Sequence, residues 1–261
     1  MTKFVAVVGG KHSGKTTIIQ HLITELKNRG YKVGTIKHMP RIQTLDSPAP
    51  AHDTWKHSHA GAEIIVAVPQ NETVVFVKKK QKLNDIASFL HGTDYVLLEG
   101  FSNEKVFPKI IAAKTVQEVK EYSDGLAIAV SGLIADSEEE TQKATSMKVP
   151  IIKSISEAQK LADRVEQKAF NMLPDLIHCG ECGFESCYEL AKAMVAEDPK
   201  TKNCPLLTGK SVVLEVNGKR VPIKDFPREM ITNIVISMAE SLNGVDDVRS
   251  LVLKIEKKEQ K

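Results

Sequence analysis

Apolar residues along the first two thirds of the chain gather in short unbroken runs separated by amphipathic stretches. Phe4–Val8, Lys32–Ile36, Tyr95–Leu98, Lys109–Ala113 and Leu126–Val130 are β-rich runs of the kind that form strands covered on both faces. Glu63–Val68 and Thr73–Val77 read as two more around the turn residues Pro69-Gln70-Asn71, and Val149–Ile152 as a short last one. Helical spacing occupies Lys15–Asn28, closed by Arg29-Gly30, then Leu83–His91 and Glu157–Leu173. The last of these sets Ala158, Leu161, Ala162, Val165 and Ala169 on one side. Glu138-Glu139-Glu140 reads as the exposed first turn of another helix. Strands alternating with helices predict an α/β domain over residues 1–170, built on a mostly parallel sheet.

The rhythm breaks from Met39 to Ala62, a stretch holding Pro40, Pro48, Pro50, His52, His57, His59 and the single Trp55, with His38 just before it. An irregular loop of this length in an α/β domain is functional or mobile. Pro174 opens a second module, 174–208, whose helix starts at Cys187, turns Leu190, Ala191, Met194 and Val195 to one side and ends at Pro199. A third, 209–261, follows. Ser211–Val216 and Lys219–Ile223 flank the hairpin signal Asn217-Gly218, and Pro222 puts the second strand at an edge. Pro227 opens a helix with Met230, Ile231, Ile234, Val235, Met238 and Leu242 on its apolar face, closed by Asn243-Gly244. Leu251, Leu253 and Ile255 then alternate, completing a ββαβ module read as an accessory or docking piece.

Composition narrows the classes. Hydrophobic residues make up 42% of the chain, enough for a core, and 36 basic against 33 acidic residues leave a net charge of only +3. That balance lacks the basic excess of a nucleic-acid binder, and the run Lys78–Lys82 reads as a solvated strand end. No apolar run approaches the ~20 residues of a membrane helix, and Phe4–Val8 is too short for a secretory leader. A cytoplasmic location, with neither membrane nor nucleic acid as partner, is expected. Thiols stay reduced there, so four cysteines confined to 179–204 point to a shared ligand rather than to disulfides.

The clearest chemistry sits behind the first strand. Gly9-Gly10-Lys11-His12-Ser13-Gly14-Lys15-Thr16 fits G-x-x-x-x-G-K-[ST] at every position, between a buried strand and an amphipathic helix. Glycines let the main chain wrap with its N–H groups turned toward phosphate oxygens, and the start of the helix adds its positive end. Lys15 is expected on the β- and γ-phosphates, the Thr16 hydroxyl on Mg²⁺, and Thr17 close behind. The strand Tyr95–Leu98 runs into Glu99 at the edge where α/β proteins bind ligands, so Glu99 is the expected second acid of the Mg²⁺ site. The Asn/Thr-Lys-x-Asp element of guanine-reading GTPases is absent, which leaves the base open on residues alone.

With Gly34-Thr35-Ile36-Lys37-His38, Asp53-Thr54-Trp55-Lys56-His57 leading to Ala60-Gly61-Ala62, Leu98-Glu99-Gly100-Phe101 and Pro108-Lys109-Ile110 added in order, the first domain resembles the molybdopterin-guanine dinucleotide biosynthesis adaptor proteins, the MobB family. The resemblance implies a P-loop protein that binds GTP, hydrolyses it weakly and assists attachment of GMP to molybdopterin. It also implies a homodimer working beside the cofactor's nucleotidyltransferase and a molybdenum or tungsten enzyme. His38 and Asp53 match the family's loop residues next to the nucleotide, and Asp46-Ser47-Pro48 its Asp-x-Pro. Ala51-His52 stands where the family often has Gly-Lys, and Arg41 where a second loop histidine is usual.

Cys179, Cys182, Cys187 and Cys204 form a three-plus-one set, which suits the corners of a cubane iron–sulfur cluster. Zinc is the rival, although structural zinc sites favour two separated pairs. Cys179-Gly180-Glu181-Cys182-Gly183 running to Cys187, an alanine-bearing helix and the distant Cys204 resemble the small four-iron domain of Rnf-type electron-transport subunits and of carbon monoxide dehydrogenase/acetyl-CoA synthase complexes. That resemblance implies a 4Fe–4S cluster on these four ligands. Glu197-Asp198-Pro199 replaces the glycine usual after the helix. Together the modules predict a GTP-binding accessory protein of molybdenum or tungsten cofactor maturation. The alternatives are a nucleotide-gated electron-transfer or cluster-handling protein, and a protein whose cluster is only a folding staple.

Overall fold

The computed structural model describes residues 2–39, 53–144, 147, 149–175, 179, 181–197, 201, 204–207, 214–216, 219–221, 223, 225–242, 244–245, 248, 251–253 and 255. The chain divides into two compact units, Met1–Met172 and Leu173–Lys261.

The first unit is organised by β1 (Lys3–Val8), whose Val5, Ala6, Val7 and Val8 are wholly shielded from solvent. A strand that apolar on both faces belongs in the middle of a sheet. β5 (Tyr95–Glu99) pairs on one side of it and β6 (Lys109–Ala112) on the other, with β2 (Val33–Lys37) outside β5 and β7 (Ala127–Ser131) outside β6. All four pairings are parallel. This is the mostly parallel α/β sheet that the hydrophobic runs predict. The helices follow the sequence pattern: α1 (Lys15–Asn28) buries Ile18, Ile19, Leu22 and Leu26, and α6 (Ala158–Lys168) buries Leu161, Ala162 and Val165. Arg29, just past α1, reaches Asp163 at 2.7 Å and Glu166 at 3.2 Å, which fixes α1 against α6.

Four further helices of this unit are short: α2 (Asp53–His59), α3 (Leu83–Ser88), α4 (Val116–Tyr122) and α5 (Glu138–Lys143). β3 (Ile64–Ala67) and β4 (Val74–Val77) form a separate antiparallel pair. A 3-10 turn, Leu133–Asp136, follows β7. Where irregular structure is expected between Met39 and Ala62, residues 53–59 are helical, with Asp53 in the first turn and Lys56, His57 and His59 in the last, as the helix dipole favours. Asp46-Ser47-Pro48 and His52 lie outside the described residues.

The expected last strand, Val149–Ile152, reduces to a single parallel bridge between Ile151 and Val130. Pro150 has no N–H to extend the ladder; its carbonyl accepts from Val130 at 2.9 Å instead. α6 stops short of Leu173 because the chain straightens at Ala169 and Phe170 bridges Phe4 of β1.

In the second unit α7 (Cys187–Ala196) begins at the cysteine where the pattern starts it. Ser186 caps it, accepting the Glu189 N–H at 3.2 Å, and Leu190 and Ala191 are fully buried. β8 (Leu214–Val216) and β9 (Lys219–Val221) pair antiparallel, and α8 (Asp225–Glu240) follows. Asn217-Gly218 and Pro222 lie outside the described residues. The apolar face read on α8 is partly open: Met230, Ile234 and Met238 are exposed, as is Leu242 beyond it, while Ile231 and Val235 are half-buried. Residues 251–253 and 255 are in no strand, so the described order is hairpin then helix.

One buried charge stands behind the sheet's central region. Lys109 on β6 is 1% exposed; its ammonium donates to Asp124 at 2.6 Å and to the Ser102 carbonyl at 2.7 Å. Removing one partner of a buried pair strands the other charge. Lys109→Ala is expected to lower the unfolding free energy in urea by about 3 kcal/mol, and a loss below about 1 kcal/mol would mean the pair is not structural.

Candidate functional site

The glycine loop is shaped by main-chain contacts. Gly9 has φ +146°, and a Cβ there would stand 1.9 Å from the Ala112 carbonyl oxygen at the end of β6. Gly132, directly after β7, has φ +89°, and its Cβ would stand 2.3 Å from the Ser13 carbonyl oxygen. The loop is therefore seated on the ends of two neighbouring strands so closely that neither position admits a side chain. Ser13 is completely buried and donates to the Gly10 carbonyl at 2.9 Å, closing the loop on itself.

α1 starts at the loop's end with Gly14 in the left-handed region, no side-chain cap and no acidic residue in its first turn. Its first N–H groups and positive end face whatever the loop holds. The Lys15 ammonium donates to the Gly9 carbonyl at 3.0 Å and to that of Gly10. Burial lowers its pKa, as do the neighbouring cations of Lys37 and Lys114, while Glu99 and Glu118 raise it. Thr16 donates its hydroxyl to Glu99 Oε1 at 3.0 Å, and Lys37 Nζ lies 2.9 Å from that same oxygen. Glu99, mostly buried at the end of β5, thus joins the first turn of α1 to the end of β2.

A hydroxyl and a carboxylate this close are the oxygen donors a hard divalent cation takes, so Thr16 and Glu99 fit Mg²⁺ in kind and position. Lys11 and His12 stand exposed on the outer rim, and Thr17 is exposed on α1. His38 sits beside the acid: its N–H donates to the Glu99 carbonyl at 3.0 Å, its ring lies 5.4 Å from that of Phe101, and a Cβ on Gly100 would touch its own Cβ at 3.2 Å. Asp53 is placed differently. Its carboxylate is 82% exposed and pairs with Lys56 within α2.

Three residues that matter here were given no role by the sequence. Gly132 is the loop's rear wall. Glu118 faces Gly10, whose Cβ would lie 3.7 Å from Glu118 Oε1, while its other oxygen accepts the Lys114 N–H at 2.8 Å. Lys37 is the third member of the Thr16–Glu99 group. A signal for α4 and Glu118 was present in Thr115-x-x-Glu118, a capping box whose Thr115 hydroxyl accepts the Glu118 N–H at 3.3 Å.

In the second unit Cys187 and Cys204 are buried, Cys179 and Cys182 half-buried, and no two of the four are joined by a disulfide. Burial holds the Cys204 thiol above its ordinary pKa; the Leu206 and Leu207 N–H groups work against this, and Cys187 and Cys182 add to it. Among the described residues no three His, Cys, Asp or Glu side chains close around a metal position. The structure places Cys182, Cys187 and Cys204 in one electrostatic neighbourhood rather than at ligand distances. The donor set itself fits a soft metal centre: thiols close enough to oppose each other's ionisation, with main-chain N–H groups turned to a sulfur. The Thr201 hydroxyl, three residues before Cys204, is buried with no partner among the described residues.

Among the described residues no helix is long and apolar enough to cross a membrane.

Comparison with known proteins places both units. A family model described as molybdopterin guanine dinucleotide synthesis protein B matches residues 4–132. A second model, provisionally described as an Fe–S cluster family, matches 176–206. A Methanocaldococcus jannaschii protein, provisionally named a molybdopterin-guanine dinucleotide biosynthesis adapter protein, is 28% identical over 260 residues, covering 97% of each chain. The crystal structure of Bacillus subtilis MobB shares the fold, with a TM-score of 0.51 at 20% identity, over 65% of this chain and 99% of that one. The molybdopterin-guanine dinucleotide biosynthesis adapter protein of Haemophilus influenzae is 30% identical over 136 residues, which are 49% of this chain and 74% of that protein. The chain therefore belongs to the molybdopterin-guanine dinucleotide biosynthesis adapter protein (MobB) family.

Proposed function

We propose that this chain is a GTP-binding accessory protein of molybdopterin guanine dinucleotide biosynthesis, acting as a slow GTPase and carrying a 4Fe–4S cluster in its second unit. The observation that carries the nucleotide reading is the arrangement around Lys15. A loop held by main-chain contacts presents the uncapped start of α1, a half-buried ammonium and the Thr16–Glu99 pair to one place. A nucleotide with its Mg²⁺ would satisfy all three at once: phosphate oxygens replace the Gly9 and Gly10 carbonyls as acceptors for Lys15 and take the N–H groups of the helix start, and the cation takes the Thr16–Glu99 pair. Mg²⁺, held by Thr16 and Glu99, would neutralise charge on the β- and γ-phosphates. Nothing among these residues is a strong general base for water, which agrees with slow turnover. Guanine rather than adenine rests on the family.

For the second unit the support is the cysteine set and the Fe–S family match over 176–206. Cys179, Cys182, Cys187 and Cys204 would hold the cluster. An adapter acts through partners, here a cofactor nucleotidyltransferase, a molybdenum or tungsten enzyme, and a second copy of the chain. The hairpin β3–β4 supports self-association: Ile64, Val66, Val68 and Val75 are exposed apolar residues, and a two-stranded ribbon is marginal unless something covers it.

Calorimetric titration of GTP and ATP with Mg²⁺ tests the first part. GTP uptake is expected, weakened at least about a hundredfold by Lys15→Ala, which removes a charged donor. Gly132→Ala is expected to impair uptake while the protein stays folded, and ATP binding alone would remove the guanine reading. Anaerobic purification should yield iron and acid-labile sulfide, both lost in Cys204→Ser; zinc without sulfide would refute the cluster. By light scattering, Val66→Lys with Val75→Lys should turn a dimer into a monomer, and an unchanged mass would clear the hairpin of that role.

A further inference from the structure

Lys37 has no part in the phosphate-loop motif, yet the sheet delivers it to the same place. In the parallel pairing of β2 with β5, Lys37 stands in register with Glu99, and Glu99 in register with Val7 of β1, just before the loop. Registered residues of parallel strands point to the same face, so the end of β2 sets a cation beside the acid of the site. Its ammonium lies 2.9 Å from Glu99 Oε1, the oxygen to which Thr16 donates at 3.0 Å. Lys37 thus occupies the Thr16–Glu99 end of the site, whereas Lys15 is held at the loop end by the Gly9 and Gly10 carbonyls.

Stability does not account for this placement. The Lys37 side chain is 51% exposed, and an ion pair that open contributes little to folding. The strands it would tie are already joined along five registered positions. Its charge also works against Lys15, whose protonation it opposes. Two ammonium groups around one carboxylate leave an excess of positive charge that the fold gains nothing by keeping. An anion between them removes the conflict. Lys37 is also free to take one, because its long stem is half in solvent and its three N–H donors can turn.

We propose that Lys37 is a second phosphate-binding cation, which turns from Glu99 to the terminal phosphate of a nucleoside triphosphate and so distinguishes triphosphate from diphosphate. This rests on the loop being a nucleotide site. Lys15 grips what both nucleotides share, the β-phosphate. Lys37, at the Thr16–Glu99 end, meets only the γ-phosphate. As it leaves Oε1, the acid is released to the site at the moment a triphosphate arrives, so occupancy of the terminal position is reported along β2.

The test is calorimetry on the full chain with Mg²⁺, using a non-hydrolysable GTP analogue and GDP, with the adenosine counterparts in parallel so that base preference is not mistaken for phosphate reading. Lys37→Gln is expected to weaken the triphosphate analogue by about tenfold to a hundredfold and GDP by less than about twofold, as the loss of one charge-assisted hydrogen bond requires. Lys37→Arg should recover most of the triphosphate affinity, and thermal melts should match wild type. Equal weakening of both nucleotides, or of neither, overturns the proposal, since a merely structural ion pair gives one or the other. Lys15→Ala losing both nucleotides while Lys37→Gln loses neither would leave the nucleotide site standing and remove Lys37 from it. A wild-type protein that takes up no nucleotide overturns both readings together.

Discussion

Two points of main-chain contact set the shape of the glycine loop: Gly9 against the Ala112 carbonyl and Gly132 against that of Ser13. Each is closer than any side chain permits, so a side chain at either position would push the loop off the strand ends it rests on. The buried Ser13 hydroxyl, bonded to the Gly10 carbonyl, completes this seat from within. Amides fixed by the backbone of a buried sheet need little reorganisation to meet a charged ligand, which is the condition the proposed nucleotide site requires. The geometry of the site is thus a property of the parallel sheet, and the order β2-β5-β1-β6-β7 is what brings its parts together.

The same order decides the electrostatics. β1 ends in the loop, β5 beside it ends in Glu99, and β2 beyond that ends in Lys37. On the other side β6 leads to Lys114 and α4 to Glu118, both close enough to act on Lys15. Charges of both signs therefore surround the half-buried ammonium. Burial disfavours its charged form and an incoming phosphate favours it, so ligand and protonation support each other. The carboxylates keep that charge in place, and their partners are hydroxyl, amide and lysine groups that can exchange them for other ligands.

Much of this was legible in the residues, because phosphate loops carry their chemistry in a contiguous motif. The strand before the loop, the start of α1 at Lys15, the acid at the end of β5 and the start of α7 at Cys187 all stand where hydrophobic periodicity and glycine placement put them. What escaped was what depends on pairing between distant segments. Lys37 falls within the Gly34–His38 element, but its place beside Glu99 follows only from the register of β2 with β5, and that of Gly132 only from where β7 ends. α4 was missed although Thr115 and Glu118 announced it, since seven residues are too few for a periodic pattern. The shortfall at Val149–Ile152 came from Pro150, an apolar position that cannot donate. Asp53 illustrates the opposite limit: a residue transferred by family likeness is drawn in the structure toward Lys56 and solvent.

The second unit poses a different physical problem. The cysteine segment alone is smaller than the roughly 40 residues below which a chain needs a metal, a disulfide or a neighbour to hold its shape. Leu190 and Ala191 provide a small buried patch, which is little to close a loop with. The remainder comes from further along the chain: Arg228 of α8 meets Glu181, between the first two cysteines, at 2.6 Å, and each side chain is about a tenth exposed. A pair that shielded strongly disfavours losing either member, so the loop and α8 hold each other. The pair thereby links the two modules that the sequence reads separately, in keeping with the single compact unit Leu173–Lys261. A centre bound by the four thiols would then be braced by a helix that supplies none of its ligands.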